Sequence, residues 1–395
     1  MERPRRDTDK QVAVSCSDPV KTFEGHQDVI TTIATFPDGD KIATGSFDKT
    51  IRIWRLKDGR EMKKWVVKKK VGALVILRNL NRIHMVTAEG DVPGPESNFD
   101  ETLYWPLWVR DAETGSIVAG PLHGHTHAVW TLDVSPDGDV LASGSYDGTV
   151  ILWDTKTWQR RGGPLLCGLH VMSIGFSPTS ELQFPPTSEL SVSTSEDIQI
   201  WDLDRRERIA QFKGHNNSWN RWLTWTPDGE RLLSAGDMND PTICVWDTST
   251  WKRDSSPWIG HDDEINHITL HPARSLLASA SKDHTVRLWH LTTGTELVRY
   301  EHSDVVYHAA FSVDERFIFS GGKDMKISQW EIPEDVLAAT CVVPPEGRPM
   351  TEVTISNCFS VNEFKHANSR LVLLVANKRC VFSIYNPSIV VYINR

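Results

Sequence analysis

Residues 141–154 read LASGSYDGTVILWD and follow an HGH at 123–125. His125, Ser143 and Asp147 are the residue types of a nucleophilic hydrolase. A hydroxyl attacks, an imidazole takes its proton, and a carboxylate orients the imidazole. Trp153 follows Asp147 by six residues. The set is not unique, however. Thr44, Asp48 and Trp54 repeat its offsets with His26 upstream, as do Ser279, Asp283 and Trp289 with His261, and Ser320, Asp324 and Trp330 with His302. His215, Ser234, Asp240 and Trp246 fit after a two-residue insertion. One chain has no use for five catalytic triads, so the constellation reads as structural and the chain as non-enzymatic.

Other patterns that could carry chemistry are incomplete. His123, His125 and His127 alternate along one stretch, a spacing able to hold a metal on a strand face, but no carboxylate or cysteine completes the set. No GxxxxGK[ST] or GxGxxG follows a strand, so no nucleotide or other cofactor is expected. The six cysteines (Cys16, Cys167, Cys244, Cys341, Cys358, Cys380) show no paired spacing, which suits a reducing compartment.

The chain has 395 residues, 24% of them charged, and a mean hydropathy of −0.35, as in a folded soluble protein. A net charge of −9 argues against a nucleic-acid surface. The strongest basic run, KKWVVKKK at 63–70, reads as a solvated strand edge whose lysines discourage edge pairing. The initial MERPRRDTDK lacks the apolar core of a signal peptide, and LVLLVAN at 371–377 is far short of a membrane helix. An intracellular, cytoplasmic protein is expected. The Asn216-Asn217-Ser218 glycosylation match then carries no weight.

The elements that position these residues announce themselves by period. Trp54, Trp108, Trp153, Trp201, Trp246, Trp289 and Trp330 are separated by 54, 45, 48, 45, 43 and 41 residues. Most close a short β-branched run (IRIW, VILW, IQIW, ICVW, VRLW), with PDG turns and strand-like stretches before them. Helical periodicity is absent, so the chain is read as all-β.

With EGH at 24–26 before IRIW, HGH at 123–125 before ILWD, KGH at 213–215 before CVWD and IGH at 259–261 before RLWH, the chain resembles the WD-repeat β-propeller family over about residues 20–332. Seven repeats are counted, at about 21–63, 64–117, 118–159, 160–208, 209–252, 253–295 and 296–332. Two are degenerate. The second has no Gly-His and carries an insertion, VPGPESNFDETLYW, before Trp108; the fourth has CGLH and a doubled PTSEL suited to a loop. The seventh keeps His302 without the glycine.

The resemblance implies a seven-bladed propeller of four-stranded antiparallel blades, with residues 19–25 supplying the outer strand of the last blade and closing the ring. Residues 1–18 are then an arm, and 333–395 an extension without repeats. It also implies that each tryptophan is buried between blades, its indole N–H bonded to the Ser or Thr hydroxyl, which bonds the histidine, which bonds the turn aspartate.

Function is expected at a surface. In the family the top face commonly binds peptides or proteins at positions three and five after the repeat histidine and one before the turn aspartate. The matching positions here are Val29, Thr31 and Phe47; Ala128, Trp130 and Tyr146; Glu264, Asn266 and Lys282; Val305, Tyr307 and Lys323. His170 and Met172 are approximate equivalents in the fourth blade, and Asn220 or Arg221 in the fifth. Of these, Phe47, Trp130, Tyr146, Glu264, Asn266, Lys282, Tyr307 and Lys323 are the candidate partner-binding residues, around aromatic anchors.

The expected role is a scaffold that docks peptides or protein domains, a monomeric propeller within a larger complex, with no membrane and no nucleic acid. The alternatives are a substrate adaptor of a cullin ubiquitin ligase, whose WDxR signature is absent here or one place late, and an RNA- or chromatin-associated propeller. Trp158 and Trp251, which end WDTKTW and WDTSTW, either pin the following outer strand or form a second contact surface on the opposite face.

Overall fold

A computed structural model describes residues 14–79, 82–91, 105–178, 189–215, 218–272, 275–340, 372–376 and 379–383. Among them, seven antiparallel sheets follow one another around a ring. Their innermost strands are Ile30–Thr35, Lys70–Asn79, Val129–Val134, Val171–Phe176, Asn220–Trp225, Ile265–Leu270 and Val306–Phe311. Each contacts the inner strand of the next sheet, and the seventh contacts the first. The propeller is therefore closed, with four strands per blade.

Closure uses the segment expected from the repeat offset. Lys21–Glu24 pairs antiparallel with Lys326–Glu331, the third strand of blade 7. Phe23 within it is 1% exposed and packs beside Trp54 and Phe319, so the clasp seals the seam between blades 7 and 1. Val14–Cys16 then adds in parallel to Glu296–Glu301, giving blade 6 a fifth strand. That pairing lies within the stretch read as an arm.

The core sits between blades, which is why the second strands read LASGS or LLASAS and not as strict alternation. In Leu276–Ser281 every residue is buried, because neighbouring blades cover both faces. Trp54, Trp153, Trp289 and Trp330 are each at most 2% exposed. The PDG turns work through glycine: Gly39 and Gly138 have φ of 72° and 76°, where a side chain is strained.

Gly-His also has a steric basis. A Cβ on Gly260 would lie 2.6 Å from the Trp289 ring, which is buried and has nowhere to move.

The basic run divides as expected of an edge. Glu61–Val66 is the outer strand of blade 1, with Lys64 exposed, whereas Lys70 opens the inner strand of blade 2. Trp158 and Trp251 adopt φ of 58° and 55° and fold inward. Trp158 packs in the cluster with Val86 and Val109, and Trp251 stacks against Phe212. Both pack into seams with the preceding blade, Trp158 buried and Trp251 half-buried, as the pinning alternative expects.

A short helix, Glu334–Ala339, buries Leu337 against the blade 6–7 cluster. The hairpin Val372–Ala376 with Arg379–Ser383 belongs to a separate unit, residues 343–395. The doubled PTSEL falls mostly outside the described residues, as does Asn216-Asn217.

Candidate functional site

Strand register brings each His, Ser/Thr, Asp and Trp set together. In blade 1, His26 Nδ1 lies 2.8 Å from Asp48 Oδ2 and His26 Nε2 lies 2.8 Å from Thr44 Oγ1, which accepts the Trp54 indole N–H at 2.9 Å. The corresponding distances are 3.0, 2.8 and 2.9 Å for His125, Asp147, Ser143 and Trp153. For His215, Asp240, Ser234 and Trp246 they are 3.3, 3.0 and 2.9 Å. For His261, Asp283, Ser279 and Trp289 they are 2.7, 2.6 and 2.8 Å. For His302, Asp324, Ser320 and Trp330 they are 3.4, 2.9 and 2.8 Å.

Such a chain is consistent when Nδ1–H donates to the aspartate and the hydroxyl donates to Nε2. Every hydroxyl is then saturated by a buried indole and a buried imidazole, with no room for a substrate. Burial works against the Asp147 charge, but the His125 contact and the Thr149 hydroxyl outweigh it and hold the carboxyl at about 2. Asp48 and Asp283 are likewise held below the usual carboxylate range against the cost of burial, chiefly by His26 and His261.

Blades 1 and 6 add an arginine that the repeat pattern did not reveal. Arg287 Nη2 lies 3.1 Å from Asp283 and Nη1 lies 2.8 Å from Glu296, with the residue 1% exposed. Arg52 bridges Asp48 and Glu61 in the same way. The signal was present: IRIW and VRLW each place Arg two residues before Trp, with a glutamate on the next strand.

The two degenerate blades solve the same burial problem differently. In blade 2 the residue opposite Met85, where the repeat tryptophan belongs, is Arg110, while Trp108 sits opposite Thr87. The expectation that Trp108 is the second repeat tryptophan is thus corrected by two places. Arg110 donates to Thr87 Oγ1 at 2.7 Å and pairs with buried Glu89 at 2.5 Å. In blade 4, Val192 holds the hydroxyl position, and Trp201 donates instead to Gln199 Oε1 at 3.2 Å.

The candidate contact residues are organised by a bulge common to all blades. Each inner strand slips register once, between Ile30/Thr32, Val71/Ala73, Val129/Thr131, Val171/Ser173, Asn220/Trp222, Ile265/His267 and Val306/His308. The residues left unpaired are Thr31, Gly72, Trp130, Met172, Arg221, Asn266 and Tyr307. A bulge re-aims the side chain it carries, and all seven line one recess of about 260 Å³ at the ring centre. Phe47, Tyr146, Val29, Trp222 and His308 complete it. In blade 5 the bulge selects Arg221 over Asn220, which is fully buried.

The remaining candidates surround this recess. Phe47, Tyr146, Lys282 and Lys323 each donate a backbone N–H to the residue three after the repeat histidine: Val29, Ala128, Glu264 and Val305. They are therefore equivalent positions on four blades. Glu264 forms an ion pair with Arg221, and Lys323 lies 3.7 Å from Asp304. Ala128 and Val305 are buried and unavailable to a partner. Trp130 is half-buried, its ring 5.4 Å from that of Trp105 and 6.1 Å from that of Tyr146.

Trp105 itself is 1% exposed and fills the space over Gly72 and Gly90, where any Cβ would strike its ring. His308, in the recess lining, packs its ring tilted against that of His267 with centroids 3.7 Å apart, and His267 lies 4.3 Å from the Trp222 ring. Burial pushes the His308 imidazole down to about 3 and His267 well below its ordinary value. Among the described residues, no three His, Cys, Asp or Glu converge to hold a metal ion, and no helix is long and apolar enough to cross a membrane.

Comparison with known proteins agrees with this geometry. The family model for the WD domain, G-beta repeat, matches residues 10–55, 117–154, 206–247, 254–290 and 294–331. The blades it omits are the two whose tryptophan or hydroxyl is replaced. The chain is 25% identical to a nuclear distribution protein PAC1 of Arthroderma otae, over 79% of this chain and 61% of that protein. It is 28% identical to a periodic tryptophan protein 2 homolog of Dictyostelium discoideum, over 50% of this chain and 21% of that protein. A WD repeat-containing protein 26 homolog of Arabidopsis thaliana is 27% identical over 66% of this chain and 42% of that protein. The chain thus spans between a fifth and three fifths of the length of these relatives.

Proposed function

This chain belongs to the WD40 repeat family, and from that premise we propose that it is a non-enzymatic scaffold that docks a protein partner on the face bearing the central recess. The observation that carries the reading is the bulge ring: all seven blades place their bulge residue at a single, mainly apolar recess, six of them with a side chain and blade 2 with Gly72. Five of the recess side chains, Phe47, Trp130, Tyr146, Trp222 and Tyr307, are large aromatics, the type that anchors interfaces. A hydrolytic reading has no support, since the Ser/Thr hydroxyls that resembled nucleophiles are engaged by indoles inside the blades. The recess residues belong to none of those sets.

The test substitutes Trp130→Ala with Tyr146→Ala and compares melting and bound partners with wild type. Because Trp130 packs on Trp105, a second variant, Phe47→Ser with Tyr307→Ser, accompanies it. Partners lost from both variants at unchanged melting support the reading, and partners retained by both refute it.

A further inference from the structure

We propose that the recess accepts an apolar side chain from a partner segment that carries acidic residues beside it, an inference that rests on the docking reading above. Aromatic walls alone would equally suit a cation, held over ring faces. Here, however, the protein supplies its own cations to those rings. Lys70 Nζ sits 4.9 Å from the centroid of the Phe47 ring. The Arg221 guanidinium is itself in the lining together with Tyr146. A cationic guest would meet the charges of Lys70, over Phe47, and of Arg221, in the lining, at a cost that burial magnifies.

The charges at the mouth point the same way. The carboxylates nearby keep their charge but are oriented by the protein itself: Asp28, Asp263 and Asp304 accept the backbone N–H of the following residue at 2.8, 2.7 and 2.8 Å, and Glu264 is held by Arg221. Arg221 nevertheless keeps unused donors, because its fork carries five N–H groups. Lys282 occupies in blade 6 the position that Phe47 and Tyr146 hold in blades 1 and 3. Among the described residues, Lys70 pairs with the Phe47 ring and with no carboxylate. Among the residues that line the recess Arg221 is the one charged side chain, so a cation borders the apolar centre although the whole chain carries a net charge of −9. A carboxylate on the partner would take charge-assisted bonds from Arg221 and Lys282 while its apolar neighbour enters between Trp130 and Tyr307.

The experiment selects binders to the full chain from a random-peptide phage library at low ionic strength and remeasures the enriched peptides, labelled, against variants. The expected peptides carry Asp or Glu next to Leu, Ile, Phe or Met. They should bind roughly tenfold or more weakly to Arg221→Gln and to Lys282→Glu, as loss or reversal of one member of a charge pair implies. Lys282→Glu is at the mouth and leaves melting unchanged, which guards against misfolding of the Arg221 variant. Basic or uncharged peptides that depend on Trp130, or acidic ones indifferent to Arg221 and Lys282, overturn the acidic assignment and leave docking at the recess intact. Peptides that ignore Trp130, Arg221 and Lys282 alike, or no enrichment at all, overturn both.

Discussion

Phe23 and Ile327 face each other in one antiparallel ladder, although they come from opposite ends of the propeller sequence. The ring is held shut by this non-local pairing. A chain starting at Pro19 keeps it and loses only the parallel strand Val14–Cys16, whose Val14 is exposed. A chain starting at Gly25 loses Phe23 from the seam, roughly 3–5 kcal/mol for a buried aromatic, and leaves Lys326–Glu331 as an open edge. Thermal melting should show the larger drop in the second truncation, with aggregation. Equal curves for the two chains would contradict the closure.

Asp147→Ala should lower stability by roughly 1–3 kcal/mol by taking from buried His125 Nδ1–H its carboxylate partner and leaving it the more distant Thr149 hydroxyl. Asp283→Ala should cost more, about 3 kcal/mol or above, because it also strips a carboxylate from the buried Arg287. Midpoints of denaturant unfolding compare the two directly. An unchanged midpoint for Asp147→Ala would mean that the chain from Trp153 to Asp147 carries no stability in blade 3.

The packed His267 and His308 rings predict a loss of stability in mild acid. Both are depressed in the folded state, His308 to about 3, whereas an unfolded histidine titrates near its ordinary 6.5. Between these values the unfolded chain binds more protons than the folded one, so stability falls as pH drops below 6.5. Neither His267 nor His308 contributes above that point, where both are neutral in either state. From pH 7 to pH 5 the linkage for one such imidazole is on the order of 1–2 kcal/mol. Acid from the carboxylates enters lower, since Asp147 at about 2 loses its contribution only as pH falls below its ordinary 3.8. His308→Phe should flatten the urea midpoint between pH 7 and pH 5, and an undiminished slope would contradict the assignment.

Blades whose burial problem is solved by the repeat chemistry were legible in the sequence. Gly-His, the hydroxyl, the turn aspartate and the tryptophan must stand at fixed offsets because strand register dictates them. Where another residue solves the problem, spacing misleads. Arg110 bonds Thr87 in place of an indole, and the insertion before it drew attention to Trp108. Gln199 serves Trp201 when Val192 removes the hydroxyl. The Val14–Cys16 strand had no local signal, since three residues pairing in parallel with Val298–Tyr300 leave no periodicity to read. At the recess, counting from the repeat histidine reached Thr31, Trp130, Asn266 and Tyr307, whereas choosing Arg221 over Asn220 needed the bulge. Trp105 escaped notice because its place over Gly72 and Gly90 is tertiary.

The most direct test of partner docking at the recess is photocrosslinking from two positions of the same chain. A benzophenone side chain replaces Phe47 at the recess in one protein and Ile209, exposed on the outer strand of blade 4, in another. The account predicts a discrete protein adduct from position 47 that disappears when Trp130→Ala is added, and none from position 209. Adducts from position 209 with none from position 47 would contradict it.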